Sequence, residues 1–332
     1  MKKVLALLLA LAMVLSFAAC GEKKEEPKKE WKPEQPITIM NHVAAGGGMD
    51  LYTRKWVEIA AKYTDATFVV DNNDGASGLT AGEWVLGQDA DGYTIFALAP
   101  TYLDAVVQSE LPLKDYVDSF KFIYNLMYDP YCVLVPTEPA AGMPSFNTFE
   151  ELVEWAKTNE LTLSEPNYGA KFIDAVQVFN EVGVNFKAIS YGGAKKNFAA
   201  LLGGQAVASV GNPGDTKKYA VKALVIGNNG RVAGLEDVPT YAELGYDKAL
   251  DGISMWRGYA VRADVPEEMI TWFQDLADKI SADEEWIKYM NDQFLVVATD
   301  KTEAFTKIVD DEVQSTIEVL KSVDQISADY KG

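Results

Sequence analysis

Apolar and polar residues follow each other along residues 36–332 in a pattern that predicts short strands separated by helices. Compact aliphatic runs such as 37–41 and 93–98 are typical of buried strands. Longer stretches with an apolar residue every three or four positions, such as 49–63 and 302–323, predict amphipathic helices. Because strands that alternate with helices favour βαβ units with parallel sheets, we expect an α/β protein.

The order of these elements predicts two domains. The predicted strands are 37–41, 67–71, 93–98, 122–127, 131–136, 161–164, 186–190, 207–210, 223–226, 258–262 and 295–298. The predicted helices are 49–63, 79–87, 148–158, 170–182, 194–202, 266–282, 284–294 and 302–323. The last strands and helices lead back toward the first half, so we expect a discontinuous domain, 36–130 plus 263–332, and an inserted domain, 131–262. Two crossings make a hinge, and a cleft between two α/β domains is a common ligand site.

The N-terminal segment has a different pattern, in which two lysines precede an uninterrupted apolar run and a cysteine. Residues 1–19 predict an export signal, because the run is too short for a comfortable membrane span. Cys20 follows small residues and precedes a glycine, which resembles a bacterial lipobox with Phe17 in place of the usual leucine. The resemblance implies cleavage before Cys20 and lipid attachment there. The alternative is an ordinary secretory signal with a chance cysteine.

The net charge of the chain disfavours some classes of binding partner. Residues 20–35 contain the lipid-bearing Cys20 and a charged, proline-containing run, which predicts a flexible tether. The whole chain has 49 Asp plus Glu against 30 Lys plus Arg, a formal net charge of −19. This acidity disfavours nucleic acid and anionic headgroups, so we expect no nucleic-acid partner and membrane attachment through the lipid alone.

Cysteine and histidine are scarce after the tether. Cys132 lies in an apolar, strand-like run and predicts a core thiol, with a reactive nucleophile as the alternative. His42 is the single histidine of the chain. Without a second histidine or a cysteine cluster we expect no metal site, and no motif indicates a cofactor.

Three consecutive glycines stand where the first strand meets the first helix, in the segment AAGGGMD at 44–50. Backbone N–H groups there would lie at the carboxyl edge of a sheet and at a helix start, where the helix dipole favours an anion. The loop 71–78 repeats this arrangement after the second strand. A nucleotide site is disfavoured, because the GxGxxG and GK[ST] patterns are missing. A turn that only relieves crowding is the structural alternative.

Other loops at strand ends complete the candidate site. In the first domain the candidate ligand-binding residues are His42, Ala45, Gly46, Gly47, Gly48, Asp50, Ser77, Gly78, Ala99 and Thr101. In the inserted domain they are Asn167, Tyr168, Gly169, Lys171, Asn212 and Asp215. Lys171 would bring a positive charge to an acidic protein, although a solvated helix residue is an equal alternative. His42 would line the cleft and add pH sensitivity, or be a buried structural histidine.

Six segments in this order resemble the substrate-binding proteins of tripartite tricarboxylate transporters, the Bug family. The segments are PITIMNHVAAGGGMD (36–50), DNNDGASGLTAGEWV (71–85), DADGYTIFAL (89–98), ISYGGAKKNFAALLGGQ (189–205), DVPTYAELGY (237–246) and MWRGYAVRADVPEEM (255–269). The resemblance covers nearly all of residues 36–332. It implies a type II periplasmic-binding-protein fold, with two α/β domains, mainly parallel central sheets and a two-crossing hinge, that closes on a small organic anion.

The resemblance also implies a role and a location. Such proteins deliver their ligand, often a di- or tricarboxylate, to the permease subunits of a membrane transporter. They hold a carboxylate at the first two loops, partly through water, which carries over onto 45–48 and onto Ser77 and Gly78. We expect an extracytoplasmic, lipid-anchored monomer that is not an enzyme.

Two departures from the family pattern concern the inserted domain. A loop rich in Ser and Thr is replaced by EPNYGAKFID at 165–174, and an aspartate that usually follows the GQ strand is missing unless Asp215 substitutes for it. A lost acid and a gained Lys171 favour a second negative group on the ligand. The resulting hypothesis is a dicarboxylate or a similar polyanion.

Two other functions fit the same expected fold. One is an enzyme, which would need a catalytic constellation in the cleft; the single histidine precedes almost every candidate partner, and no Ser-His-Asp order is seen. The other is a sensor that reports to a membrane kinase. The sequence does not separate sensing from transport.

Overall fold

The computed structural model describes residues 31–165, 169–191 and 193–332, which form two β-sheets with helices packed around them. The predicted signal, Cys20 and most of the tether lie outside the described residues. The strands are β1 (Ile37–Asn41), β2 (Phe68–Asn72), β3 (Thr94–Leu98), β4 (Phe120–Pro130), β5 (Cys132–Pro136), β6 (Leu161–Glu165), β7 (Phe186–Ser190), β8 (Ala208–Gly211), β9 (Val221–Ile226), β10 (Ser254–Arg262) and β11 (Val296–Val297). The helices are α1 (Gly48–Ala60), α2 (Leu79–Leu86), α3 (Pro100–Gln108), α4 (Leu113–Tyr116), α5 (Phe149–Ala156), α6 (Ala170–Glu181), α7 (Ala194–Leu202), α8 (Glu267–Ser281), α9 (Glu284–Asp292) and α10 (Thr302–Ser322).

Local sequence signals account for the starts of several helices. At α5, Thr148 Oγ1 accepts a hydrogen bond from the Glu151 amide at 3.2 Å, and the Glu151 carboxylate accepts one from the Thr148 amide at 3.4 Å. This reciprocal capping box satisfies amide groups that a helix start leaves free. Helix α3 begins with Pro100, whose fixed φ suits the first helical position.

The two sheets are mixed, which corrects the expectation of mainly parallel sheets. The six-stranded sheet has the order β11-β4-β10-β3-β1-β2, and the five-stranded sheet has the order β7-β6-β8-β5-β9. Strand β1 is parallel to β2 and β3, and β6 is parallel to β7 and β8. Strand β10 is antiparallel to β3 and β4, and β5 is antiparallel to β8 and β9. Strand β4 leads the chain out of the six-stranded sheet and β10 leads it back. Because the chain runs in opposite directions in these two strands, they pair antiparallel.

Each sheet has its own apolar core, and the chain passes between them twice. The first crossing is at Tyr131, between β4 and β5. On the return, Ile253 packs in the core of the five-stranded sheet and Trp256 packs in the core of the six-stranded sheet. Since β10 pairs with β3 and β4, a boundary after residue 262 would separate it from its sheet. We therefore propose that the return crossing lies at 253–254 rather than after 262.

The C-terminal helix α10 contacts helices of both sheets. Phe305 packs in the core of the six-stranded sheet. Further along, Val319 packs against Phe172 and Ile173 of α6. Helix α6 connects β6 and β7 of the five-stranded sheet. The Gln177 side chain of α6 also donates a hydrogen bond to Ser315 Oγ.

Candidate functional site

Three strand ends meet at one edge of the six-stranded sheet. Strands β2, β1 and β3 are parallel neighbours, with Asn41 paired opposite Asn72 on one side and Ala97 on the other. Each strand is followed by a loop and a helix, so the starts of α1, α2 and α3 converge there. Helix starts carry free N–H donors and a positive partial charge.

The glycine triplet before α1 divides into three different roles. Gly46 has φ +79°, a conformation that L side chains rarely adopt. A Cβ on Gly47 would lie 2.9 Å from the Ala44 carbonyl oxygen, which is too close. A Cβ on Gly48 would meet its nearest neighbours at ordinary contact distances, the Tyr52 ring at 3.6 Å and Arg257 Nη2 at 3.7 Å. Backbone geometry thus explains the first two glycines and leaves the third unexplained.

The amides at the start of α1 are available to a ligand. Gly47 provides no side-chain cap, and the first helical hydrogen bond runs from the Leu51 amide to the Gly47 carbonyl at 3.0 Å. Among the described residues, no acceptor bonds the amides of Gly48, Met49 or Asp50. Gly48 is exposed. An anion at this point would meet free donors and the positive helix end together.

The Asp50 side chain holds the glycine loop rather than facing the open edge. It is 2% exposed, and its Oδ2 accepts a hydrogen bond from the Gly46 amide at 2.8 Å. Arg54 Nε lies 2.9 Å from its other oxygen. Burial acts to raise the pKa of this carboxyl, but the bonds from Arg54 and Gly46 outweigh it and the pKa is lowered. The structure thus places Asp50 inside the loop.

The second loop makes a left-handed turn. Ala76, Ser77 and Gly78 have φ values of 50°, 58° and 95°. Asn73 Oδ1 braces the loop by accepting hydrogen bonds from the Gly75 amide at 3.2 Å and from Thr80 Oγ1 at 2.7 Å. Non-glycine residues in this conformation are strained, and such strain clusters at functional sites. Ser77 is exposed at the tip of the turn.

His42 joins the three loops. It is 3% exposed, its Nδ1 lies 3.2 Å from the Ala97 carbonyl oxygen, and its Nε2 lies 2.9 Å from Thr101 Oγ1. Because a carbonyl only accepts, Nδ1 carries the proton and Nε2 accepts from the Thr101 hydroxyl. A Cβ on Gly78 would lie 2.7 Å from the His42 Cβ. The pKa of His42 is lowered to about 4, mainly by burial; the Ala97 hydrogen bond acts to raise it and the Arg257 charge also lowers it. His42 is thus a buried, neutral junction.

The loop after β3 contributes one exposed residue. Ala99 precedes α3 and is 3% exposed, whereas Thr101 is exposed. Tyr102 of α3 is fully buried and donates its hydroxyl to the Tyr116 carbonyl at 2.9 Å. It is a core residue.

The candidates from the inserted segment lie near the first crossing. Lys171 Nζ is 3.8 Å from Asp215 Oδ2, so a carboxylate already shares the charge of the lysine. Asp215 accepts a hydrogen bond from the Asn212 amide at 3.0 Å, and Asn212 Nδ2 lies 3.4 Å from the carbonyl oxygens of Asp129 and Pro130. This loop is therefore tied to the end of β4.

Four candidates remain, one in the glycine loop and three before α6. Asn167 and Tyr168 lie outside the described residues. Gly169 is buried and precedes α6, where its carbonyl accepts a hydrogen bond from the Phe172 amide at 2.8 Å. Ala45 is exposed in the glycine loop.

Arg257 and Asp129 are charged residues that the sequence reading missed. Arg257 is 9% exposed, Asp129 is 7% exposed, and Arg257 Nη2 donates to Asp129 Oδ2 at 3.0 Å. The guanidinium also lies over the Tyr52 ring, 5.0 Å from its centre. The available signal was a charged residue within each of two largely apolar strands, Asp129 in β4 and Arg257 in β10, since such residues are rarely buried unless paired.

Other chemistry is limited in the part of the chain that the structure describes. Cys132 is buried, and burial raises its thiol pKa well above the usual range, which confirms a core thiol. Within 31–165, 169–191 and 193–332, no three His, Cys, Asp or Glu side chains gather as metal ligands. The helices of the same ranges include none with the length and hydropathy to cross a membrane.

Comparisons with known proteins agree on one family. Residues 53–324 match the family model described as Tripartite tricarboxylate transporter family receptor. A protein from Cupriavidus necator, named as UPF0065 protein in gbd 5'region, is 27% identical over 222 residues, which cover 64% of this chain and 65% of that protein. The match therefore spans slightly less than two thirds of this relative.

Solved structures share the fold. The crystal structure of a TctC solute binding protein from Polaromonas, without ligand, has a TM-score of 0.75 and 26% identity, and covers 88% of this chain and 100% of that one. MatC from Rhodopseudomonas palustris, solved with bound malate, has a TM-score of 0.65 and 19% identity over 87% of this chain and 100% of its own. The two mixed sheets belong to the two-domain α/β fold of periplasmic binding proteins.

Proposed function

This chain belongs to the tripartite tricarboxylate transporter receptor family, and we propose that it captures a small organic anion and delivers it to a membrane transporter. Members are solute-binding receptors that work outside the cytoplasm with a small-molecule ligand. The proposed ligand is a carboxylate, with di- and tricarboxylates as the preferred class. The proposed site is the cleft between the two sheets, and no catalytic step is part of the proposal.

One observation carries the proposal most directly. The free amides of Gly48, Met49 and Asp50 lie at the start of α1, and Gly48 itself is exposed. A carboxylate oxygen placed there would receive hydrogen bonds in the field of the helix dipole. Hydrogen bonds with a charged partner contribute on the order of 1.5–3 kcal/mol each, so three of them supply roughly 4.5–9 kcal/mol, a range that includes the ~8 kcal/mol of a micromolar dissociation constant.

Two further loops support a ligand at this edge. The strained turn at Ser77 and Gly78 and the exposed Thr101 flank the start of α1 through their contacts with His42. The malate in MatC is a property of that protein. For this chain we extend only the chemical class, a small carboxylate.

The second end of the ligand is proposed to face the loop of Asn212 and Asp215, with Asn167 and Tyr168 as further candidates. Because Lys171 is beside Asp215, its charge is partly matched before any ligand arrives. A second acidic group would therefore compete with Asp215 for Lys171. A ligand with a neutral hydroxyl or amide at that end would leave the Lys171–Asp215 pair in place and is the second candidate within this proposal.

The proposal includes how the protein is held and used. Export through residues 1–19, lipid attachment at Cys20 and a tether to residue 35 would keep a monomer at the outer face of the membrane. The ligand-loaded form would then dock on the permease subunits. Mass spectrometry of the N-terminal peptide from membrane fractions would test the lipid, because a free Cys20 thiol contradicts it.

Ligand binding is tested by native mass spectrometry and calorimetry. Protein purified without unfolding is first examined for a carried-over small molecule. It is then titrated with acetate, succinate, malate, adipate and citrate, with succinamide as an uncharged control. We expect dissociation constants in the micromolar range or below for at least one dicarboxylate. Failure of every carboxylate to bind, or equal binding of succinamide and succinate, would contradict the proposal.

A further inference from the structure

We propose that Arg257 contacts the anionic group of the ligand at the start of α1, where Asp129 holds it in position. This inference rests on the proposed function and assigns a ligand-binding role to a residue on β10, outside the glycine loops. Arg257 would distinguish anionic ligands from neutral ones at the end of the cleft nearest the six-stranded sheet.

Arg257 lies directly beside the free helix start. Its Nη2 is 3.7 Å from the position that a Cβ on Gly48 would take, and its guanidinium covers the ring of Tyr52, one turn into α1. Gly48 is exposed while Arg257 is more than nine-tenths buried. An anion that reaches the Gly48 amide is therefore within reach of the guanidinium as well.

The guanidinium has more donors than acceptors around it. A guanidinium has five N–H groups. Within the described residues, one hydrogen bond from this side chain reaches an oxygen, the bond from Nη2 to Asp129 Oδ2 at 3.0 Å. Nη1 contacts the sulfur of Met127 at 4.0 Å, and a thioether is a weak acceptor. The guanidinium therefore keeps N–H groups with which it can bond a further acceptor, such as a ligand oxygen.

The local charges favour an anion as that acceptor. Arg257 is positive, the start of α1 adds a positive partial charge, and neighbouring His42 is neutral with its pKa lowered partly by Arg257. Asp129 is the carboxylate in contact with the guanidinium. One carboxylate offsets one of the two positive groups, and a ligand carboxylate between Gly48 and Arg257 would offset the other. Arg suits this task because its planar fork bonds a carboxylate in a bidentate manner.

Asp129 is a positioning residue in this proposal. It holds Nη2 with its side chain, and its main-chain carbonyl accepts a hydrogen bond from Asn212 Nδ2 at 3.4 Å. The pair therefore stands at the end of β4, where the chain enters the second sheet. Asp129 fixes the direction of the guanidinium toward Gly48 without touching the ligand.

The experiment compares variants by calorimetry with succinate, malate and citrate as probes. In Arg257→Met the strongest probe should bind about 10- to 100-fold more weakly, which corresponds to one or two charge-assisted hydrogen bonds. Arg257→Lys should bind weakly too, because it keeps the charge and loses the fork. Asp129→Asn should weaken binding and Asp129→Glu should restore it in part. Arg262→Met, which alters an arginine of the same strand that bonds the carbonyls of Leu86 and Gln88, is the matched control and should keep the affinity.

The outcomes separate this inference from the proposed function. Removal of Arg257 alone leaves Asp129 buried without its cation, so Arg257→Met combined with Asp129→Asn tests binding if the single variant does not fold. Affinity within twofold of the unaltered protein in either folded variant, with a lower Tm, would show a structural role and overturn the inference alone. No binding of any probe by the unaltered protein would overturn both the inference and the proposed function.

Discussion

At the scale of single residues, Gly48 is the glycine of the triplet that backbone geometry does not require. Gly46 is required by its positive φ and Gly47 by the approach of a carbonyl. Gly48 has neither requirement, and it is the glycine whose amide is exposed and free. A side chain at this position would occupy the space of the proposed anion and would meet its neighbours at ordinary contact distances.

Gly48→Ala is predicted to separate stability from binding. The variant should be as stable as the unaltered protein or gain up to about 1 kcal/mol, because alanine favours a helix over glycine. Its affinity for the best carboxylate should fall about tenfold or more, since the methyl group occupies the approach to the amide and Arg257. Calorimetry and urea unfolding measure the two effects.

The control for this change is Gly230→Ala, whose Cβ would meet nothing within 4 Å. It should alter neither affinity nor stability by a measurable amount. If Gly48→Ala bound the best probe as tightly as the unaltered protein, the anion would not lie at the start of α1.

His42 is predicted to stay neutral through the physiological range. Its folded pKa of about 4 lies below the ordinary value of 6.5, so the unfolded chain takes up the proton first as the pH falls. The contribution of His42 to stability is therefore fully present above pH 6.5, and about 3 kcal/mol of it is lost as the pH falls toward 4. As the chain has one histidine, its ring signals in an NMR titration of untagged protein are unambiguous. A midpoint above pH 6 would contradict the buried junction.

At the scale of elements, the first two loops are packed so closely that the second one requires a glycine. Gly78 starts α2 with φ +95°, and a Cβ there would lie 2.7 Å from the His42 Cβ and 2.9 Å from its carbonyl oxygen. This contact fixes the distance between the starts of α1 and α2. The two sets of amides are thus held in one arrangement before a ligand binds.

Gly78→Ala is predicted to destabilise the protein by roughly 2–4 kcal/mol, from strained backbone and from the clash with His42. Gly245→Ala is the matched control, because Gly245 has φ +86° and open space around it. It should cost about 1 kcal/mol, the conformational part alone. Urea unfolding of both variants measures the difference. Equal losses would show that the contact with His42 carries no energy.

At the scale of the whole molecule, α10 connects the two sheets and carries an acidic residue with an unusual pKa. Burial raises the pKa of Glu312 from 4.5 to about 7. The helix packs in the core of the six-stranded sheet and against α6, and the charge of Glu312 also reaches the buried Tyr131 at the first crossing. The protonation of one carboxyl is therefore linked to the packing between the two halves.

Glu312→Gln is predicted to stabilise the protein at alkaline pH. Below pH 4.5 the carboxyl is protonated in both folded and unfolded states, so the variant should match the unaltered protein. As the pH rises to 7 the unfolded chain releases its proton first, and the unaltered protein loses stability. Above pH 7 the variant should be more stable by on the order of 2 kcal/mol, after allowance for partial solvent contact.

Urea unfolding at pH 5 and pH 8 measures this difference. Glu318→Gln, an exposed position on the same helix, is the control and should change stability little at either pH. A gain for Glu312→Gln that is the same at both pH values would contradict the raised pKa.

The sequence by itself determined most of the local structure. The predicted strand 186–190 and helix 194–202 have those bounds in the structure, and the predicted helix 148–158 starts from the Thr148 cap. The glycine loops also follow their strands and open their helices. These features depend on hydrophobic periodicity, capping side chains and glycine. Because these signals act over a few residues, they can be predicted from the sequence.

Tertiary structure decided the direction of the strands and the partners of the charges. Arg257 and Asp129 are 128 positions apart and form one buried pair, because β10 returns to lie against β4. Helix α3 is missing from the predicted helices, and its Tyr102 packs in the core of the six-stranded sheet. Lys171 finds Asp215 in the same way. Such contacts depend on which strands meet across the sheets, and no pattern within a short segment encodes that.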